Sequence, residues 1–156
     1  MPQPSHPLLR VPVPWVFVLN YLLGVALQRL APLPFAWPLP VRADIVGGVL
    51  FVIGVVVAGS GWLAFHRVGT TRVPGQVSTT LVSWGPYRVT RNPMYVGLSL
   101  AYLGEAALLR QVWPALLLPL TLIYLQRVVI PLEETRLREA FGSVYTDYCA
   151  RVRRWL

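Results

Sequence analysis

Residues 85–97 join a polar, arginine-bearing loop to the start of an apolar helix, and their side chains could bind a charged aromatic ligand. Asn92 is a good N-cap, and Pro93 suits the first helical position because its missing N–H is not needed there. The free N–H groups of a helix start favour an anion. Two arginines and two tyrosines flank this point: Arg88, Arg91, Tyr87 and Tyr95. The segment suits a ligand with a carboxylate and a ring system, although a capped membrane helix with basic flanking residues explains it equally well.

A second candidate is the carboxylate pair Glu133-Glu134, which follows the last apolar run of the chain. Two adjacent carboxylates at a membrane edge are unfavourable unless they are solvated or paired. One interpretation is a solvated first helical turn, where acidic residues complement the helix dipole. The other is that one carboxylate binds hydroxyl or amino groups of a ligand held by residues 85–97. The spacing leaves both interpretations open.

The composition predicts that residues 1–156 form one integral membrane domain. Hydrophobic residues make up 55% of the chain and charged residues 13%, about half the charged share of a soluble domain. The net charge of +8 comes from arginines beside apolar runs, which indicates membrane topology rather than nucleic-acid binding. The single cysteine, Cys149, excludes an internal disulfide, and the histidines His6 and His66 have no metal-binding spacing. We therefore expect no metal site.

Four apolar runs predict an all-α membrane protein with about four transmembrane helices and a C-terminal amphipathic helix. The runs are residues 14–30, 44–65, 93–109 and 114–130. Asp44 is expected to cap the second helix, and Pro131 to end or kink the fourth. The C-terminal helix, from residue 133 onward, should break near Gly142.

The arginine distribution predicts the orientation. With four spans, both termini lie on one side together with eleven of the 14 arginines, whereas the other side holds Arg29, Arg42 and Arg110. The positive-inside rule makes the arginine-rich side cytoplasmic. The expected cofactor-site region, residues 66–97 and 127–156, then faces the cytosol.

Glu105 lies well inside the third span, where an ionised carboxylate is unfavourable by at least ~2.5 kcal/mol at the bilayer centre. It must therefore be paired, neutral or near the far interface. Gln28 and Arg29 are the candidate partners, in a structural contact between helices. The glycine-rich second span should let helices approach closely. A lateral gap beside it could admit a lipophilic substrate from the bilayer.

Several short motifs follow one another over about residues 65–156. They are Leu81-Val82 before Gly85-Pro86-Tyr87, then Arg91-Asn92-Pro93-Met94-Tyr95-Val96-Gly97, Glu133-Glu134, Phe141-Gly142-Ser143-Val144-Tyr145-Thr146-Asp147-Tyr148 and the basic end from Arg151 to Trp155. In this order they resemble the isoprenylcysteine carboxyl methyltransferase family, which is related to the phospholipid methyltransferases.

The resemblance implies S-adenosylmethionine as cofactor and a methyl acceptor that reaches the site from the bilayer. The family's cofactor-binding positions match Thr79, Thr80, Leu81, Val82, Tyr87, Asn92, Pro93, Met94, Tyr95 and Glu133. Glu133 and Arg127 are the implied catalytic residues, since a family arginine near the end of the last span helps to bind the acceptor. The family usually has histidine where this chain has Asn92, which cannot titrate near pH 7 and so makes a poor proton acceptor.

Two alternatives compete with a methyltransferase of this kind. Some sterol reductases resemble the same C-terminal architecture, so a nicotinamide-dependent membrane reductase is one, although it would need a longer body to enclose a sterol. The other is a non-catalytic membrane protein of the same fold. The acceptor itself could be a carboxylate, an amine or a thiol. We expect a monomer that contacts membrane lipids and no nucleic acid.

Overall fold

A computed structural model describes residues 12–34, 40–67 and 80–156, so the predicted cofactor residue Thr79 lies outside it. Within these ranges the fold is all-helical. Six α-helices follow in chain order: α1 Val13–Leu30, α2 Pro40–Arg67, α3 Pro93–Leu108, α4 Val112–Tyr124, α5 Ile130–Phe141 and α6 Ser143–Arg151. A 3-10 helix, Gly85–Arg88, precedes α3, and a π-helical segment, Leu125–Val129, joins α4 to α5.

Three helical stretches in the described residues are long and apolar enough to cross a membrane: Val13–Leu30, Arg42–Arg67 and the continuous Val112–Phe141. The remaining long helix, α3, has 16 residues and is about 24 Å long, less than the hydrocarbon thickness of about 30 Å. It packs antiparallel along α2. The predicted all-α membrane fold is confirmed.

Glycines bring α2 and α3 into direct backbone contact. A Cβ atom added at Gly54 would lie 2.6 Å from the carbonyl oxygen of Gly97 and 2.8 Å from the Cα of Ala101. One at Gly104 would lie 2.7 Å from the carbonyl oxygen of Gly47. These separations leave no space for a side chain, so glycine sets the distance between the helices. Close backbone approach is how helices associate in lipid, where no hydrophobic force drives them together.

Polar side chains fasten α1 to α4 in an antiparallel arrangement. The amide of Asn20 donates hydrogen bonds to the carbonyl oxygen of Leu117, at 2.9 Å, and to the hydroxyl of Thr121. Near the other end of α1, Gln28 accepts a hydrogen bond from the backbone N–H of Trp113 at 3.3 Å. Pairing of this kind is required of polar groups in an apolar environment.

Two helix boundaries differ from the sequence prediction. Because α2 begins at Pro40, Asp44 lies inside the helix and pairs with Arg110 at 3.3 Å instead of capping. Pro131 does not end the fourth span, and the alternative of a kink there stays a prediction. The π-helical segment precedes it, with the N–H of Ile130 bonded to the carbonyl oxygen of Leu125, and the helix then continues into α5. The wider turn accommodates a residue that lacks an N–H group.

The surroundings of Glu105 also differ from the expectation. The amide of Gln28 donates to the carbonyl oxygen of Leu33 at 2.8 Å, and Arg29 is exposed. Glu105 instead interacts electrostatically with Tyr21 and Tyr102. The side chains that interact with Glu105 are thus two tyrosines, of α1 and α3, rather than the expected amide or guanidinium.

Candidate active site

A short hydrogen bond joins the two motifs that the sequence singles out. The hydroxyl of Tyr95, at the start of α3, donates to the carboxylate of Glu133, at the start of α5, over 2.7 Å. Tyr95 is buried, with 3% of its surface exposed, whereas Glu133 is half-buried. The contact fixes the Glu133 carboxylate against the first turn of α3.

The loop before α3 rests on the end of α2. Tyr87 and Val82 pack against Ala64 in a small apolar cluster, and the ring of Tyr87 meets that of Phe65 edge-on at 5.3 Å between centroids. The first residues of α3 contact α2 about one turn closer to the N-terminus of α2. There a Cβ added at Gly61 would lie 2.9 Å from the side chain of Met94 and 3.4 Å from that of Pro93. Both contacts hold the predicted cofactor segment against the membrane helices.

Asn92 occupies the N-cap position of α3, but its side chain makes no capping hydrogen bond. Its amide donates instead to the carbonyl oxygen of Arg154 at 2.9 Å, and the hydroxyl of Thr90 donates to the same oxygen at 3.1 Å. The backbone N–H of Arg91 bonds to the carbonyl oxygen of Arg153 at 2.9 Å. The predicted capping role is wrong, because the C-terminal residues of the chain compete for the Asn92 amide.

Glu134 is buried, which contradicts the interpretation of the carboxylate pair as a solvated helical turn. Its side chain is 6% exposed and lies between three guanidinium groups, those of Arg154 at 2.8 Å, Arg91 at 3.1 Å and Arg138 at 3.5 Å. The hydrogen bonds that Arg154 donates to Glu134 raise the pKa of Arg154 above its ordinary value. The two neighbouring carboxylates therefore have different environments, one paired with arginines and one with a tyrosine.

Helix α6 and the C-terminal segment, residues 152–156, complete this end of the protein. The hydroxyl of Tyr148 donates to the carbonyl oxygen of Tyr87 at 2.7 Å, and burial raises the pKa of Tyr148 to about 12. The indole N–H of Trp155 donates to the side-chain oxygen of Gln126 at 2.7 Å. This end of the protein thus brings together α2, the loop before α3, the π-helical segment, α5, α6 and the C-terminal segment.

The remaining predicted residues lie in two places: Thr80 and Leu81 precede the 3-10 helix, and Arg127 lies on the π-helical segment. Leu81 is half-buried beside Val82, and Thr80 is exposed where the described chain resumes. Arg127 is exposed on the π-helical segment, and its position continues the row of exposed apolar residues Leu120 and Ile123. Sequence reasoning missed Glu134, Arg154 and Tyr148 as structural partners of the site. The basic C-terminus is part of the motif order that carries the resemblance, but the sequence does not indicate that its arginines pair with Glu134.

The residues around the start of α3 are suited to binding a ligand and orienting it. A half-buried carboxylate held by a tyrosine can accept hydrogen bonds from amino or hydroxyl groups of a ligand. No group of histidine, cysteine and acidic residues within the described ranges could hold a metal ion.

Comparison with curated proteins and with solved structures gives no match. A sequence model of a family described as phospholipid methyltransferase matches residues 43–144, nearly two thirds of the chain. The matched part begins in α2, contains the start of α3 and Glu133-Glu134, and ends at the start of α6. The chain therefore belongs to the phospholipid methyltransferase family.

Proposed function

We propose that the protein transfers a methyl group from S-adenosylmethionine to a lipophilic or membrane-associated acceptor, whose reacting group is a carboxylate, an amine or a thiol. The observation that supports this most directly is the hydrogen bond between Tyr95 and Glu133. It joins the two candidate motifs at one end of the membrane helices. The chain also belongs to a family of methyltransferases.

The residues at this end fit the chemistry of the cofactor. S-adenosylmethionine supplies a methyl group on a positively charged sulfur. The carboxylate of Glu133 is suited to its amino or ribose hydroxyl groups, and Thr79, Thr80 and Leu81 lie next to the buried Val82 and Tyr87 in the chain. Direct displacement at a sulfonium needs little covalent help from the protein, so alignment and exclusion of water supply much of the rate.

The methyl acceptor is proposed to bind next to Arg127. Arg127 is exposed and follows two exposed apolar residues at helical spacing, Leu120, 60% exposed, and Ile123, 58% exposed. A lipid chain can pack along these residues, while the arginine binds a carboxylate or phosphate near the reacting group. The acceptor then comes from the bilayer and need not pass through water.

The site end is assigned to the cytoplasmic side, together with both termini. Arginines of this end include Arg88, Arg127 and Arg153, whereas the opposite end has the Asp44–Arg110 pair. The positive-inside rule supports this orientation, and a polar cofactor is available in the cytosol. Arg10 and Arg72, which the rule also counts, lie outside the described residues. The functional unit is taken to be a monomer.

Transfer of labelled methyl from S-adenosylmethionine to fractionated membrane lipids and thiols tests the proposal and identifies the acceptor. Labelled product that requires the purified protein is the expected result. Absence of transfer combined with binding of a reduced nicotinamide dinucleotide would favour a membrane reductase. Binding of neither cofactor would favour a non-catalytic protein of the same fold.

A further inference from the structure

We propose that Glu134 is a positioning residue for methyl transfer: its buried carboxylate holds the C-terminal segment, residues 152–156, against the loop before α3. Held in this way, the segment fixes the start of α3, where Tyr95 meets Glu133. The inference rests on the proposed function for its effect on the cofactor. The contact itself can be tested without any cofactor.

The geometry around Glu134 is that of a buried ion-pair network. Arg154 binds both carboxylate oxygens, with its Nε 3.0 Å from Oε1 and its Nη2 2.8 Å from Oε2. Arg91 lies 3.1 Å from Oε1 and is 15% exposed. Arg138 is 3.5 Å from Oε2 but 55% exposed, so it contributes less. Bidentate arginine pairing has a fixed direction, which makes it suitable for holding one segment against another.

The same residues of the C-terminal segment bind the loop through their backbone. The carbonyl oxygen of Arg154 accepts hydrogen bonds from the side chains of Thr90 and Asn92, and that of Arg153 accepts from the N–H of Arg91. Asn92 directly precedes the first residue of α3. Loss of the Glu134 contact would therefore release the residues that set the position of that helix start.

Glu134 differs from its neighbour Glu133 in its accessibility to a ligand. Both of its oxygens lie within hydrogen-bond distance of arginines, and its side chain is 6% exposed, so a ligand cannot reach it without breaking the network. Adjacent residues on a helix point about 100° apart, which directs Glu133 to Tyr95 while Glu134 faces the C-terminal segment. Fixing one carboxylate also fixes the rotation of the turn that presents the other.

Three variants test the inference by calorimetric titration with S-adenosylmethionine. Glu134→Gln keeps the side-chain size but removes the negative charge between the arginines, and Arg154→Lys keeps the charge but loses the bidentate geometry. Displacement of the start of α3 would weaken the ligand contacts of Tyr95 and Glu133, so we expect the Kd to rise at least about tenfold for Glu134→Gln, as on loss of one hydrogen bond to a charged group, and less for Arg154→Lys. The control is Arg151→Ala, an exposed arginine that bonds the carbonyl oxygen of Asp147. Its Kd should stay within about twofold of wild type, as for most surface substitutions.

The binding stoichiometry separates positioning from folding. A positioning role raises the Kd at an unchanged stoichiometry, and Glu134→Asp recovers part of the affinity. A merely structural role lowers the stoichiometry, because fewer molecules are folded, and leaves the Kd of the folded ones unchanged; that result would overturn the proposal. If Glu134→Gln does not fold, Arg154→Lys gives the same comparison.

Amide hydrogen exchange over residues 90–92, measured without cofactor, tests the contact independently. Faster exchange in Glu134→Gln than in Arg151→Ala is expected, and equal exchange would show that Glu134 does not hold the loop. If wild type fails to bind S-adenosylmethionine, the proposed function is wrong, whereas the exchange result still decides whether the carboxylate fastens the C-terminal segment.

Discussion

Gly54→Ala should destabilise the protein because α2 and α3 touch through their backbones at this glycine. The added methyl group would lie 2.6 Å from the carbonyl oxygen of Gly97 and 2.8 Å from the Cα of Ala101, where ordinary contacts are 3.4–4 Å. Both obstacles are backbone atoms, so the helices themselves must separate by about 1 Å. Overpacking of a well-packed interface costs typically 1–3 kcal/mol, and we expect about 2 kcal/mol here.

The matched control is Gly59→Ala in the same helix. Among the described residues nothing lies within 4 Å of a Cβ added at Gly59, so the methyl group faces open space. Alanine is also the better helix former, by about 1 kcal/mol in water. The comparison therefore separates helix packing from helix propensity.

Thermal unfolding in detergent, followed by circular dichroism, measures both variants. For a chain of this size 1 kcal/mol corresponds to about 2–4 °C, so Gly54→Ala should lower the Tm by about 4–8 °C. Gly59→Ala should leave it unchanged or slightly higher. Equal Tm values for the two variants would refute the assignment of glycine contacts as the element that sets the α2–α3 distance.

Three further outcomes follow from the site end of the protein. Truncation before Phe141 should abolish methyl transfer while the membrane helices still insert, because α6 and the C-terminal segment are lost; transfer by the truncated protein would contradict this. Gly61→Leu should impair a long-chain acceptor more than a short soluble one, because it displaces Met94, whereas Gly59→Leu should not, and equal loss for both acceptors would argue against lateral access. Burial raises the pKa of Tyr148 from 10.0 to about 12, so the stability contributed by the buried neutral phenol is complete below about pH 10 and is lost as the pH rises to about 12. The Tm should therefore fall more steeply over that range in wild type than in Tyr148→Phe.

The membrane helices were predictable because each is a long apolar run bounded by proline, glycine or arginine. The break at Gly142 was predictable too, since its backbone adopts a φ of +52° between α5 and α6, a conformation that favours glycine. The roles of Asp44 and Pro131 were not predictable, because a helix cap and a helix end depend on where the backbone hydrogen bonds lie. At Pro131 a π-helical segment, which composition does not reveal, lets the helix continue.

The sequence motifs of the site were predictable, but the side chains that pair with their residues were not. Resemblance singled out Tyr95 and Glu133, and the structure shows them 2.7 Å apart. Burial of Glu134 could not be inferred, because its partners Arg91 and Arg154 are 43 and 20 residues away in sequence and become neighbours only when the C-terminal segment folds back. The same long-range contact diverts the amide of Asn92 from its capping position. Local propensity describes helices well, but it does not describe contacts between distant segments.

The most direct test of the central claim is a calorimetric titration of the purified protein with S-adenosylmethionine, comparing wild type, Glu133→Ala and the control Glu139→Ala, an exposed carboxylate on the same helix. Hydrogen bonds to a charged group contribute about 1.5–3 kcal/mol, so loss of Glu133 should raise the Kd by on the order of 10- to 100-fold. Glu139→Ala should bind like wild type. Absence of binding by wild type, or equal affinity of wild type and Glu133→Ala, would contradict the assignment of this site.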